Sequence, residues 1–258
     1  MNKLIASIFL IAATLVCPAA TAQTDKPTIV LVHGAFADAS SWNRVASILQ
    51  EQGYPVVAVA NPLRGVKSDA EYVGDIVDSI KTPVVLVGHS YGGLVIGEVA
   101  GPSRKVKALV FVAAFAAEAG ETAAGLSGKF PGSTLGGTLA APVTLTTGGK
   151  DLYIRQDKFH DQFAADVSEA EAALMAISQR PVTEAALNEP AGASGWKQTP
   201  SWFVYGDKDK NIPAAALAFM ADRAKSRKTV VVSGASHVVM VSHPGAIAAL
   251  VLAAARSD

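Results

Sequence analysis

The pattern that most restricts the fold of this chain is an alternation of short β-branched runs with longer alanine-rich stretches. Six runs are almost continuously apolar, which indicates strands covered on both faces: Thr28–Val32, Val56–Ala60, Val84–Val87, Val106–Ala113, Ser201–Tyr205 and Thr229–Val232. The stretches between them predict helices at Ser41–Gln52, Asp69–Ile80, Gly93–Ala100, Pro213–Lys225 and Pro244–Ala255. Strands and helices that alternate in this way favour a doubly wound, mostly parallel sheet of the α/β class.

The segment between about residues 117 and 197 interrupts this alternation. It is rich in Gly and Thr between Gly125 and Gly149, and it becomes helical and charged through Lys158–Gln179. A connection of this length needs structure of its own. Because strand signals resume at Ser201, we predict a single domain over residues 23–258 with a helical cap inserted at about 117–197.

The first 22 residues have the layout of a secretory signal peptide. Lys3 precedes an apolar run, Leu4–Val16, that is too short to span a bilayer, and small residues follow at Ala20 and Ala22. Cleavage after Ala22 would start the mature chain at Gln23. We therefore expect an exported protein, periplasmic or secreted, without a membrane anchor after cleavage.

The composition excludes several kinds of site from such a mature chain. The single cysteine, Cys17, lies within the predicted signal, which excludes disulfides, thiolate nucleophiles and cysteine-based zinc sites. The 22 basic and 22 acidic residues form no basic block. No nucleic-acid or anionic-membrane partner is therefore expected.

The strongest local motif is a Gly-x-Ser-x-Gly sequence that joins a predicted strand to a predicted helix. Gly88 and Gly92 flank Ser90 at positions where a Cβ atom would collide in a sharp strand-to-helix turn. Such a turn holds the serine at the carboxyl edge of the sheet in a strained backbone conformation. We predict Ser90 as a catalytic nucleophile.

An upstream turn could complete an oxyanion hole. The first predicted strand runs into a His-Gly turn, and a turn there can direct a backbone N–H towards the nucleophile. The predicted donors are the N–H groups of Ala35 and Tyr91. Phe36 is the alternative to Ala35.

A carboxylate and a histidine base should follow the serine in that order along the chain. Asp207 and Asp209 both lie in a loop between a predicted strand and a predicted helix, and both have the required chemistry. His237 follows the last predicted strand at the same sheet edge, whereas His243 directly precedes a helix start at Pro244. We predict His237 as the base and leave the two aspartates open on this evidence.

The remaining histidines are interpreted as structural. His33 braces the loop after the first strand by hydrogen bonds. His89 fills the turn beside the nucleophile. His160 lies on the surface of the cap.

These motifs resemble those of the bacterial α/β-hydrolase superfamily, in the branch that includes plant methyl-ester esterases, hydroxynitrile lyases and cofactor-free esterase/haloperoxidase enzymes. The resemblance runs from about residue 28 to residue 255 and is weakest across the cap. In that family the acid follows its strand in a Gly-x-x-Asp-x-x-(apolar)-Pro pattern, which implies Asp209 rather than Asp207. Some relatives place the acid after the preceding strand, where Glu118 is available.

The resemblance implies a carboxylesterase-like serine hydrolase that cleaves small-molecule carboxylic esters through an acyl-enzyme, without a metal or cofactor. Hydroxynitrile lyases of this branch carry a threonine after the first-loop histidine and a lysine after the catalytic histidine, but this chain has Gly34 and Val238 there. Ser90 excludes the aspartate nucleophile of a dehalogenase or epoxide hydrolase. A perhydrolase or haloperoxidase activity would use the same triad, and a small-molecule receptor of the same fold is a further alternative.

The cap should shape the substrate pocket, although none of its motifs indicates a particular acyl or alcohol group. Its candidate lining residues are Phe130, Leu152, Tyr153, Phe159, Phe163 and Met175. Apolar residues at helical spacing more often form ordinary core.

Overall fold

The computed structural model describes residues 26–257, so the predicted signal peptide at 1–22 lies outside the described residues. The strands are β1 (Thr28–Val32), β2 (Val56–Val59), β3 (Val84–His89), β4 (Val106–Val112), β5 (Val143–Thr144), β6 (Lys150–Leu152), β7 (Val182–Thr183), β8 (Ser201–Gly206) and β9 (Lys228–Val232). The α-helices are α1 (Asn43–Glu51), α2 (Val66–Ser79), α3 (Gly92–Ala100), α4 (Ala123–Gly128), α5 (Gln156–Phe163), α6 (Glu169–Ser178), α7 (Glu184–Asn188), α8 (Ala214–Arg223), α9 (Val239–Ser242) and α10 (Pro244–Arg256). Short 3-10 helices occupy Ala39–Trp42, Leu135–Thr138 and Gly195–Lys197.

Six of these strands form one parallel sheet in the order β2-β1-β3-β4-β8-β9. Helices flank this sheet, with α1 packed against α10 and α2 packed against α3. The arrangement confirms the predicted doubly wound α/β fold. Among residues 26–257, no helix has the combined length and hydropathy that a transmembrane span requires.

The register of the sheet brings four loops to one edge. Val32 at the end of β1 pairs with Gly88 in β3, and His89 at the end of β3 pairs with Val112 in β4. Towards the other side of the sheet, Gly206 at the end of β8 pairs with Val232 at the end of β9. Because all of these strands are parallel, the loops that follow β1, β3, β8 and β9 meet at the carboxyl edge, where open α/β sheets bind their ligands.

The core lies around the central strands. Every residue of β1, β3 and β8 is buried, and β4 is buried except for the partly covered Lys107. The prediction that all six strands are buried on both faces is wrong for β2 and β9, where Ala58 and Val231 are exposed. These are the two edge strands, which have a neighbour on one side only and receive less cover from the flanking helices.

The segment at 117–197 carries structure of its own, as expected for its length. Helices α5 and α6 occupy most of the stretch predicted as helical at Lys158–Gln179. The segment also contains an antiparallel sheet in the order β5-β6-β7, which the sequence did not predict. Strands of two or three residues are too short to produce a recognisable alternation of polar and apolar residues.

Candidate active site

The turn between β3 and α3 holds Ser90 in an unusual backbone conformation. Its φ angle is 52°, in the left-handed region that non-glycine residues rarely adopt. A Cβ atom on Gly88 would lie 2.6 Å from the carbonyl oxygen of Gly92, and one on Gly92 would lie 2.5 Å from the carbonyl oxygen of Val32. Both glycines are therefore required for the chain to turn this sharply, as the motif predicted.

Asp209 and His237 form a buried pair. The loop after β8 carries Asp209 and the loop after β9 carries His237, and their Oδ2 and Nδ1 atoms lie 2.6 Å apart. The other carboxylate oxygen of Asp209 accepts hydrogen bonds from the backbone N–H groups of Asn211 at 2.8 Å and Ile212 at 3.0 Å. Since a carboxylate accepts, Nδ1–H of His237 is the donor, and in the neutral tautomer of this ring Nε2 is the proton acceptor.

The two alternative acids lie elsewhere. Asp207 is exposed and accepts hydrogen bonds from the Gly234 N–H at 2.7 Å and the Ser233 hydroxyl at 3.2 Å, so it joins the loops after β8 and β9. Glu118 forms an exposed ion pair with Lys197 at 2.8 Å. The hydrogen bond and charge of Lys197 lower the pKa of Glu118. Neither carboxylate contacts His237, so the structure brings only Asp209 to the predicted base.

The predicted oxyanion donors can be separated by their hydrogen bonds. Within the described part of the chain, the N–H groups of Ala35 and Tyr91 donate to no protein acceptor. The Phe36 N–H instead donates to the carbonyl oxygen of Arg180 at 3.0 Å. Phe36 is therefore wrong as the alternative donor, because its N–H is already used.

A cavity of about 350 Å³ joins these groups. Ser90 and His237 line it together with Ala35 and Tyr91. The apolar lining residues are Phe36, Phe115, Ala123, Ala124, Leu135, Leu139, Phe163, Leu187 and Ile212, and the other polar ones include Ser127, Ser133 and Asn211. Among the residues that the structure describes, no Asp, Glu, Lys or Arg contributes to the lining. Of the six cap residues considered from the sequence, only Phe163 reaches this cavity.

His89 has a more specific position than the sequence predicted. Its Nε2 lies 3.1 Å from the carbonyl oxygen of His237, and the two imidazole rings have centroids 4.7 Å apart. Complete burial lowers the pKa of His89 well below its usual value, so the ring is neutral and Nε2–H donates. His89 therefore holds the backbone of the predicted base. Its place at the end of β3, next to Ser90, is the signal that could have suggested this contact.

The other histidines lie outside the acid–base pair. His33 is buried, with Nδ1 2.9 Å from the Gly34 carbonyl oxygen, which agrees with the bracing role expected for it. His243 directly precedes α10 and lies 2.9 Å from the Ser242 hydroxyl. His160 in α5 lies 2.8 Å from the carbonyl oxygen of Val167. Among residues 26–257, no cluster of three or more His, Cys, Asp or Glu side chains is placed to hold a metal ion.

Comparison with known proteins agrees with the fold. The chain is 26% identical over 241 residues to an alpha-hydroxynitrile lyase from Arabidopsis thaliana, covering 85% of this chain and 93% of that one. It is 27% identical over 252 residues to putative methylesterase 11, chloroplastic, of the same plant, covering 88% and 63%. The crystal structure of polyneuridine aldehyde esterase superposes with a TM-score of 0.77 at 18% identity, covering 88% of this chain and 98% of that one. Residues 29–250 match the family described as "Alpha/beta hydrolase family", and the chain belongs to this family.

Proposed function

We propose that this protein is a serine esterase that hydrolyses carboxylic esters of small molecules. The observation that carries the proposal is the buried Asp209–His237 hydrogen bond of 2.6 Å, formed at the cavity that Ser90 also lines. A carboxylate that holds a neutral imidazole in this orientation is the arrangement that activates a serine hydroxyl. The esterases among the related proteins support the same assignment.

In the proposed mechanism, the Ser90 hydroxyl adds to the ester carbonyl carbon while His237 Nε2 takes its proton. Asp209 stabilises the imidazolium that forms. The N–H groups of Ala35 and Tyr91 bind the developing oxyanion, and one such donor typically contributes ~3 kcal/mol to the transition state. The alcohol leaves with the proton from His237. Water, which His237 deprotonates, then adds to the acyl-enzyme, and the carboxylic acid is released as Ser90 regains its proton.

The cavity supports neutral, compact esters as substrates. Its lining is mostly apolar and, within residues 26–257, offers no charged Asp, Glu, Lys or Arg partner. An ionised group on the substrate would lose hydration there without gaining an ion pair, which is costly. We therefore expect a panel of neutral p-nitrophenyl esters to be cleaved better than analogues that carry a carboxylate or an ammonium group.

A fluorophosphonate probe tests the proposed nucleophile. The probe should form a covalent adduct on Ser90, and both labelling and esterase activity should disappear together in Ser90→Ala and in His237→Ala. Ser133→Ala is a matched control, because Ser133 lines the same cavity without the strained turn. Peptide mapping that placed the adduct on Ser133, or an active Ser90→Ala enzyme, would refute the assignment.

The lyase alternative receives less support from the site. A lysine after the catalytic histidine would be expected, but Val238 occupies this position and is buried. A threonine would be expected at Gly34, where an added Cβ would lie 2.6 Å from the Cβ of Ser90. A receptor of the same fold would be recognised by a ligand-induced rise in Tm with almost no ester turnover.

We also propose that the protein is exported. The support is in the sequence alone: a lysine at position 3, the apolar run Leu4–Val16 and the small residues Ala20 and Ala22. Fractionation of producing cells, with mass measurement of the protein from the extracytoplasmic fraction, tests this proposal.

A further inference from the structure

A second buried carboxylate contacts the residue that follows the nucleophile. The hydroxyl of Tyr91 donates a hydrogen bond of 3.0 Å to Oδ2 of Asp69 in α2, and both residues are completely buried. The backbone N–H of Arg64 donates to the same carboxylate, at 3.1 Å to Oδ1 and 3.2 Å to Oδ2. Asp69 therefore has defined partners on both oxygens and is held in one position.

Tyr91 occupies a position where small backbone rotations matter. Tyr91 has φ of −54° and ψ of −32°, and it lies between Ser90, whose φ is 52°, and the first turn of α3. The next two residues are Gly92 and Gly93, which contribute no side chains to hold the turn. The carbonyl oxygen of Ser90, in the same peptide as the Tyr91 N–H, accepts hydrogen bonds from the N–H groups of Gly93 at 3.0 Å and Phe115 at 3.2 Å. The hydrogen bond from the Tyr91 hydroxyl to Asp69 adds to these contacts, because it fixes the side chain of the same residue.

The loop that carries Arg64 is itself bonded to the segment inserted at 117–197. The guanidinium group of Arg64 donates to Asp151 in β6 at 2.6 Å and to the carbonyl oxygen of Pro181 at 2.7 Å. The hydroxyl of Thr183 in β7 donates to the Arg64 carbonyl oxygen at 2.9 Å. Contacts on both sides of Arg64 therefore hold the loop that places its N–H against Asp69.

We propose that Asp69 is a positioning residue that directs the Tyr91 N–H at the oxyanion, an inference that rests on the proposed esterase function. Asp69 touches none of the reacting atoms. As Ser90 Oγ bonds to the carbonyl carbon and its proton passes to His237, the carbonyl oxygen gains the negative charge that the Tyr91 N–H receives. Rotating that N–H away weakens binding of the transition state more than binding of the neutral ester.

Three substitutions test this link. Tyr91→Phe removes only the hydroxyl, and Asp69→Ala removes the acceptor. In Asp69→Asn the amide oxygen can accept from the Arg64 N–H while the amide nitrogen donates to the Tyr91 hydroxyl oxygen, so the link is kept. With active sites counted by fluorophosphonate labelling, Tyr91→Phe and Asp69→Ala should each lower kcat/KM for p-nitrophenyl acetate about 10-fold, and Asp69→Asn should stay within about threefold. The double variant Tyr91→Phe/Asp69→Ala should lose no more than either single variant, because both break one contact.

Two ketones separate positioning from a general structural role. 2,2,2-Trifluoroacetophenone accepts the serine oxygen and forms an oxyanion, so it should bind about 10-fold more weakly to the two link-breaking variants. Acetophenone remains a neutral carbonyl compound and should bind within about twofold of wild type. Glu189→Gln is the matched control: its carboxylate accepts from the N–H groups of Val66 (2.6 Å) and Lys67 (3.2 Å) at the start of α2. The Glu189→Gln substitution weakens the start of the helix that carries Asp69 and leaves the Tyr91–Asp69 hydrogen bond in place. The activity of this variant should stay at the wild-type level.

Wild-type kcat/KM in Tyr91→Phe would overturn the proposal. A double variant in which the two losses multiply would overturn it too, as would equal weakening of both ketones. If Asp69→Ala does not fold, Tyr91→Phe and Asp69→Asn still decide the question, since both are nearly isosteric with the original side chains. Failure of the proposed function would look different, because the wild-type protein would then not cleave esters or would not require Ser90.

Discussion

Replacing Asp209 by asparagine should inactivate the enzyme while preserving its shape. Oδ1 of Asp209 accepts two backbone N–H groups, from Asn211 and Ile212, and Oδ2 faces Nδ1 of His237. In Asp209→Asn the amide oxygen should take the Oδ1 position, because the reverse orientation would set the amide NH₂ against two N–H donors. The amide NH₂ then faces His237 and forces its Nδ1 to accept, which moves the ring proton to Nε2.

The hydrogen bonds of Asp209 indicate how large the loss of kcat in Asp209→Asn should be. Turning the amide over would leave two buried donors unpaired, at about 1–3 kcal/mol each. Holding the wrong tautomer should therefore raise the activation barrier by several kcal/mol, in line with the ~10⁴-fold loss of kcat, or about 5 kcal/mol, seen when the aspartate of a serine triad becomes asparagine. Stability should change little, since the two backbone N–H groups keep their acceptor.

Hydrolysis of p-nitrophenyl acetate, with thermal unfolding measured in parallel, is the assay. Asp207→Asn is the matched control in the same loop, because the exposed carboxylate of Asp207 accepts hydrogen bonds from Gly234 and Ser233 in the neighbouring loop. We expect this control to keep kcat within about tenfold of wild type. An inactive Asp207→Asn beside an active Asp209→Asn would refute the assignment of the acid. If neither variant loses activity, Glu118→Gln is the next to measure.

Three further predictions concern other residues. Gly34→Ala should lower the free energy of unfolding by about 1–3 kcal/mol and reduce kcat, because its Cβ would lie 2.6 Å from that of Ser90; a stable, fully active variant would contradict this. Burial lowers the pKa of His33 from 6.5 to about 4. Between pH 6.5 and pH 4 the unfolded chain therefore binds a proton at His33 that the folded chain does not, so the free energy of unfolding decreases as the pH falls through this range. Urea unfolding should show ~2 kcal/mol lost from this group at pH 5 relative to pH 7, and a smaller loss in His33→Gln. Intact mass of exported protein should correspond to a chain that begins at Gln23, and retention of Met1 would exclude cleavage at this site.

The sequence was sufficient for the features that depend on local periodicity and motif order. Continuous apolar runs predicted the central strands, and the Gly-x-Ser-x-Gly sequence between a strand and a helix predicted the strained turn at Ser90. These succeed because a buried strand and a tight turn impose requirements on consecutive residues. The choice of Asp209 over Asp207 depended on a resemblance, since two aspartates in one loop satisfy the same chemistry.

Only the tertiary structure decided which of these groups meet. His89 and His237 are 148 residues apart in sequence and contact each other because β3 and the loop after β9 end at the same sheet edge. Asp69 was predicted only as the start of a helix, yet its carboxylate is the partner of the Tyr91 hydroxyl. The N–H of Phe36 is used by Arg180, a contact with the inserted segment that no local pattern encodes. Sequence patterns report which face of an element is apolar, whereas a hydrogen bond between distant loops depends on the register and packing of the elements that carry them.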